Sequence, residues 1–500
     1  MLNHVSTIWE YRDFLTIHKS HLDLSQLKLL KSKYRPALSK LRKLDISLAS
    51  DILFPLYSLT GRPAIDPAVL VRSFVLMNHL KYSSIKLWCD DLANDSLLQY
   101  LIGSFDPPNS SSHYDFIIRL TGFDPHLSDL APQSFIIKKK FKNKPAKGEK
   151  LINFTKDDTS SICDKYRNGA EFDRDRLLFT MQSLFNAIVV IPSLDMGLIE
   201  PANSTLSGDG SCLHVHASCH GHKVQDAPDP DNNYRFSAPD ADIGWDSDLA
   251  QYFFGFTFYN ISFHNPSLHI DLPVFISLEK ASRHDALTCV SATAQMLDIN
   301  PDLKPKYMCL DSASDSNSIY QFFQEKNIIP LIDHNKRRKS IESKTGESIN
   351  SDGIPVCSCG HTMTYDGYDY TRYRKKYRCP LKAGLIDSCP FAQTCSTSDY
   401  GRVVYVKDKD NEPRFKGPVS YGSPKWKSIY KDRTCTERIN NAVLNTYVLH
   451  KMHYAIEQKT DSSLSLQKSI YTLQDLKIEI FEKQVIFTIF STPCFLFIVL

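Results

Sequence analysis

Between residues 200 and 335 the chain sets down three strand-like stretches in succession, "TLSGDGSCLHVHA", "YFFGFTFYNISFH" and "DLPVFISLEKAS". A helical stretch follows, "RHDALTCVSATAQML", then the strand "KYMCLDSAS", the helix "SNSIYQFFQEK" and the strand "NIIPLIDHN". The strands are rich in β-branched and aromatic residues, and the helices carry apolar residues at three- and four-residue spacing. Consecutive strands followed by strand–helix alternation imply a mixed α/β sheet flanked by helices. At 500 residues the chain exceeds one simple domain. A unit of about 200–300 residues buries about 70–75% of its unfolded surface and needs no covalent staples.

The flanks divide as follows. Residues 1–125 read as an all-α N-terminal unit. "GRPAIDPAVLVRSFVLMNHLKYSSIKLWCDDLANDSLLQYLIG" opens with Asp66 as an N-cap and Pro67 at the first helical position. A Ser-Ser break and two short helices follow, giving helix-turn-helix character; a purely structural helical domain is the alternative. Residues 126–199 read as a basic connector, 200–335 as the first part of the sheet domain, and 336–425 as a Cys-rich basic insertion. Residues 426–484 supply the final helices. The apolar tail "VIFTIFSTPCFLFIVL" (485–500) is shorter than the roughly 20 residues of a membrane helix and contains Pro493. It reads as a buried strand or an altered end, and no membrane partner is expected.

The N-terminus "MLNHVSTIWEYRDF" lacks the apolar run of a signal peptide, and thirteen cysteines without one point to a reduced, cytoplasmic setting. A net charge of +3 does not itself announce nucleic acid. Local runs say more: "KKKFKNKPAKGEK" (138–150), "NKRRK" (335–339) and "RYRKKYR" (372–378) suit a phosphate backbone. Solvated surface is the bland reading of such runs.

Chemistry concentrates on three acids. Asp209 lies inside a strand between glycines, and Asp311 lies at the carboxyl end of another. Aspartate is a poor strand residue, and ligands of α/β sheets gather at the carboxyl ends of strands. Each alone reads equally as a turn or cap residue. A third acid stands in "SIYKDRTCTERINN" (428–441). At about 100° per residue, Arg433 and Glu437 fall about 60° and 20° from Tyr430, so all three share one side of a helix. A surface Arg–Glu pair is the plain alternative. Two Asp and one Glu would make an oxygen-only cluster suited to Mg²⁺ or Mn²⁺.

In that order, Asp209, Asp311 and Glu437 resemble the catalytic triad of DDE transposases with an RNase H-like fold. Tyr430, Arg433 and Glu437 resemble the Y-(2)-R-(3)-E-(6)-K signature of bacterial insertion-sequence transposases, with Leu444 at the place of its Lys. "ADIGWDSDLAQYFFGFTFYNI", "SRHDALT" and "DSASDSNSIYQFFQEKNIIPLIDHNKR" are similar to further segments of that group, as is the 61–120 module to its helical domain. The resemblance implies an RNase H-like mixed sheet and metal-dependent cutting and strand transfer at the ends of an insertion sequence. The triad would hold the metal, and Tyr430 and Arg433 the phosphates near the scissile bond. Lys336, Arg337 and Arg338 join them as expected DNA contacts, on a homodimer assembled on DNA at the nucleoid. A catalytically inactive, DNA-binding derivative of such an element is the alternative.

Cys357, Cys359, Cys379, Cys389 and Cys395 cluster along the insertion, and such thiols are candidates for a structural zinc site; ordinary free thiols are the other reading. Cys212, His214 and His216 fall, by alternation, on the strand face opposite Asp209.

Overall fold

The computed structural model describes residues 1–82, 84–121, 154–167, 176–214, 219, 222–223, 234–235, 241–335, 349–350, 352–410 and 412–446. It is mixed α/β, with a six-stranded mixed sheet and a separate three-stranded one.

The larger sheet contains β1 (Thr205–His214), β2 (Asp242–Asp246), β3 (Gln251–Asn265), β4 (Ile270–Lys280), β5 (Tyr307–Leu310) and β6 (Ile329–Ile332). β1 is central. On one side it pairs antiparallel with β3, which pairs antiparallel with β2 and β4. On the other side β5 runs parallel to β1, and β6 parallel to β5. Helix α1 (Pro67–His79) belongs to the N-terminal part. Helix α2 (Asp285–Ile299) connects β4 to β5, and α3 (Asn317–Glu325) connects β5 to β6. All four residues of β5 are buried, as a parallel strand covered on both faces must be. Helix α4 (Thr434–Asn441) packs against β1, β3 and β4.

The pleat settles which helix covers which face. Asn260 of β3, opposite Asp209 in register, donates to the Asn440 side chain of α4. Gly210, the next residue of β1, is approached instead by Asp285 at the start of α2. Successive residues point to opposite faces, so α2 and α4 sandwich the sheet.

In the N-terminal part, Asp66 caps α1 by accepting from the Ala68 amide at 2.9 Å, with Pro67 at the first helical position, as the sequence indicates. The two short helices appear as Ile85–Asn94 and Ser96–Ile102. The helix Ser110–Thr121 is capped by Asn109, whose Oδ1 accepts from the Ser112 amide at 2.8 Å. Trp88, fully buried, donates to Ser73 Oγ at 2.8 Å. Within the segment read as a connector, Phe154–Arg167 is a helix packed on α2 and α3, with Cys163 buried. Helix Arg176–Phe185 bridges the Ser110–Thr121 helix and β4. One apolar core therefore runs from Leu2 through the sheet to Leu444.

The Cys-rich insertion folds around β7 (Thr364–Asp369), β8 (Arg374–Arg378) and β9 (Val403–Lys407), antiparallel with β8 central. Its own core is small: Cys357, Met363, Tyr377, Val404 and Val406. It is tied to the end of β6, where Tyr421 Oη donates to Asp333 at 2.6 Å and its ring stacks on His334 at 3.6 Å. Among the described residues no helix is long and apolar enough to cross a membrane; the apolar tail lies outside them.

Candidate active site

The last paired residues of β1 and β5 are Ser207 and Cys309. Two residues further along each strand stand Asp209 and Asp311. Parallel neighbours at equal register hold their side chains side by side, and residues two apart share a face. Both carboxylates thus belong to the face that α4 covers. Asp311 also caps the short turn Ser312–Ser314, accepting from the Ala313 amide at 3.2 Å.

The glycines around Asp209 have a steric cause. A Cβ on Gly208 would come within 2.4 Å of Tyr259 Oη, and one on Gly210 within 2.6 Å of Asp285 Oδ1. The bare backbone on that face lets Tyr259 and Asp285 close in beneath the carboxylate.

The C-terminal segment brings in the remaining groups, though not along the continuous helix expected from the spacing. An α-helix, Pro424–Tyr430, gives way to a 3₁₀ turn, Lys431–Arg433, before α4 begins, and a π-turn, Ala442–Thr446, follows it. The tighter 3₁₀ turn breaks the regular 100° advance. Tyr430 Oη donates to the Leu310 carbonyl at 3.0 Å, next to Asp311. Its ring stacks on Trp426, centroids 4.2 Å apart. Arg433 donates through Nη1 to Glu437 Oε1 at 2.6 Å, while its Nη2 lies 3.6 Å from Asp209 Oδ1. Its buried Nε has no hydrogen-bond partner among the described residues. The Asp209 side chain is 18% exposed and that of Glu437 51%, so the cluster opens to solvent on the Glu437 side.

The electrostatics follow from this arrangement. Burial pushes the Asp209 carboxyl up to about 7; Arg433 pulls it down, while Asp311, Asp285 and Glu437 add to the rise. Asp285 is raised to about 6, by burial and then by Asp311. Burial raises the Tyr430 phenol well above its ordinary range. Asp285 is the residue to which sequence reading gave no role. It stood in the quoted "SRHDALT", directly after the helix cap His284, but only the fold carries it beneath β1. Among the described residues no three His, Cys, Asp or Glu side chains stand as a ready-made metal cage; in this arrangement the Arg433 guanidinium supplies the positive charge between Asp209 and Glu437.

Other expected sites divide. Lys336, Arg337 and Arg338 lie outside the described residues, as does His216. His214 stacks on Phe253 and its Nε2 lies 2.9 Å from Asp246 Oδ2, a structural use of that face. In "RYRKKYR", Arg374 pairs with Asp369, and Lys376 and Arg378 pair with Asp366. Lys375 is buried and donates to the Phe415 carbonyl at 2.6 Å. That run is largely consumed by internal partners. The five insertion cysteines line one cavity.

No family model matches the chain, and no curated protein matches its sequence.

Proposed function

We propose that the protein is a DDE-type transposase of the bacterial insertion-sequence kind, cutting DNA at an element's ends and joining the freed 3′-hydroxyl to a target. The observation that carries this reading is the meeting of Asp209, Asp311 and the Arg433–Glu437 pair across three separate elements. An RNase H-like domain is supported by the sheet's plan: a central first strand, an antiparallel meander on one side and parallel strands on the other. The carboxylates also meet at the carboxyl end of a parallel strand, where such sheets gather their ligands.

The donor set is all oxygen, and Asp209 is held near its protonation midpoint by burial and neighbouring acids, as befits a site short of positive charge. Asp209, Asp311 and Glu437 would hold Mg²⁺ or Mn²⁺, which supplies activation of a water nucleophile and stabilisation of the leaving oxygen. The residual proton on the Asp209 carboxyl must leave before that oxygen can ligate. Arg433 already spans two carboxylates, and its planar fork suits a phosphate equally; released from Asp209, it can grip the strand beside the scissile bond. Tyr430 is fixed by its bond to the Leu310 carbonyl, which orients the phenol at the rim of the site. The DNA partner, a dimer assembled on it and residence at the nucleoid belong to the same reading.

One observation favours a second reading. Leu444, at the signature's Lys position, is buried in the core, so no cation reaches DNA from there. That loss puts one DNA contact in doubt rather than the carboxylate chemistry, and a derivative that binds element ends without cutting them is the alternative. One experiment separates the two: incubate the protein with its flanking genomic DNA and Mg²⁺, and map nicks to single bases. The transposase reading expects end cleavage that disappears in Asp209→Ala, Asp311→Ala and Glu437→Ala, while salt-sensitive binding persists. Cleavage surviving in any of the three overturns the assignment; binding without cleavage by the unaltered chain establishes the inactive derivative.

A further inference from the structure

We propose that Cys357, Cys359, Cys379 and Cys389 form a structural zinc site that fastens the loop after β8 to the insertion's small sheet. The inference is independent of the transposase reading, since nothing in it touches the carboxylate cluster.

Four thiols from three separated stretches of chain converge. Cys357 and Cys359 flank a tight turn, in which the Gly360 amide donates to the Cys357 carbonyl at 2.8 Å and the Cys357 amide to the His361 carbonyl at 2.9 Å. Their sulfurs lie 2.9 Å apart. Cys379 directly follows β8, its amide donating to the Arg402 carbonyl at 2.9 Å. Cys389 comes from the loop itself, its thiol near those of Cys359 and Cys379. All four line one cavity with Met363, Leu381 and Phe391.

The second observation concerns what the loop lacks. Residues 380–402 contain turns and bends but no helix or strand, and Leu385 and Phe391 are exposed. A structureless loop of that length inside a folded unit needs a reason. The five-residue core beside it is too small to supply one, and small units of this kind are commonly stapled by a metal. An all-thiolate set selects zinc or an iron–sulfur cluster. A single tetrahedral ion fits one cavity and four sulfurs. As they stand the sulfurs do not form a finished cage. Cys357 and Cys359 sit closer than the about 3.8 Å edge implied by Zn–S bonds of about 2.3 Å, so loading spreads that pair and releases their protons to solvent. Cys395 also lines the cavity, but it is exposed and falls outside the set.

The test uses the full chain, purified under reducing conditions from zinc-supplemented culture, with elemental analysis. The expected result is about one zinc per chain, lost in Cys357→Ser, Cys359→Ser, Cys379→Ser and Cys389→Ser and kept in Cys395→Ser. A second measurement guards against variants that merely misfold. Chelator-stripped unaltered protein is titrated with Co²⁺, and proteolysis within 380–402 is followed in parallel. Thiolate-to-cobalt absorption saturating at one equivalent supports the site, as does cleavage that rises about tenfold on stripping and falls again with zinc. Absence of both metal and cobalt absorption overturns the proposal. So do zinc retained in the four serine variants, iron–sulfur absorption, or a Cys357–Cys359 disulfide recovered from reduced protein.

Discussion

Asp209 stands in the middle of a ten-residue strand with paired neighbours on both sides, whereas Cys389 stands in a loop that holds no regular structure at all. The two clusters meet opposite demands. Around Asp209 the fold is rigid and holds charged groups where they repel, so the cluster works against folding. Around Cys389 there is little fold to hold anything, and the cluster itself supplies the order. Removing charge from the first should tighten the molecule; removing thiols from the second should loosen it.

The largest effect tests the rigidity of the first region. Tyr259 is buried against Gly208, where an added Cβ would meet its hydroxyl at 2.4 Å and Leu310 at 3.1 Å. Neither neighbour can withdraw without moving β5 or α2. Gly208→Ala is expected to cost about 3 kcal/mol, at the upper end for overpacking a core, in urea-denaturation midpoints. A change within experimental error would mean that the strand yields, and that the carboxylates are not rigidly held.

That steric demand explains how much was legible beforehand. The strands β1 and β3–β6 and the helices α2 and α3 fall where the β-branched and aromatic runs and the helical spacing put them, because such runs suit strands buried on both faces. The two aspartates stood out because the residue type fits strands poorly. The hairpin strand β2 escaped because Gly244 and Asp246 give it no strand-like composition; its glycine serves a close approach to the Ala281 carbonyl. The broken helix around Tyr430 escaped because nothing in "SIYKDRTCTERINN" forbids a regular helix. Asp285 and the pairing of the "RYRKKYR" cations with Asp366 and Asp369 depend on contacts between distant segments, which local pattern cannot reveal.

A middle-sized effect tests the claim that the carboxylate cluster opposes folding. Asp209 titrates at about 7 in the fold against about 3.9 when unfolded. Between those values the folded state holds more protons than the unfolded one, so stability falls as pH rises through that window. The penalty is absent below about pH 4 and complete above about pH 7. Asp209→Asn should therefore raise stability at pH 7.5 by about 2 kcal/mol and flatten the slope between pH 4 and 7, even as, under the proposed function, it removes cleavage. Mg²⁺ should stabilise the unaltered protein at pH 7.5 and leave the variant little changed. Thermal midpoints across that pH range check both, and a variant no more stable than the parent would remove the contrast between the clusters.

The smallest effect asks whether the insertion contains any strain of the kind seen at Asp209. Lys375, on the buried face of β8, donates to the Phe415 carbonyl, and burial lowers its ammonium to about 8, with Asp408 pulling the other way. Here the unfolded chain, titrating near 10.4, binds more protons than the fold between about pH 8 and 10, so stability rises with pH across that interval. The sign is the reverse of that at Asp209, and the ammonium keeps its hydrogen bond to the Phe415 carbonyl. Lys375→Met removes the buried charge but leaves the Phe415 carbonyl without its donor, a loss of about 1 kcal/mol that largely offsets the gain. The net change at pH 7.5 should therefore stay within about 1 kcal/mol, while the rise between pH 8 and 10 disappears from the melting curves. If the rise persists in the variant, another group carries it, and Lys375 is simply a well-satisfied anchor between β8 and the segment that leads on to Tyr430.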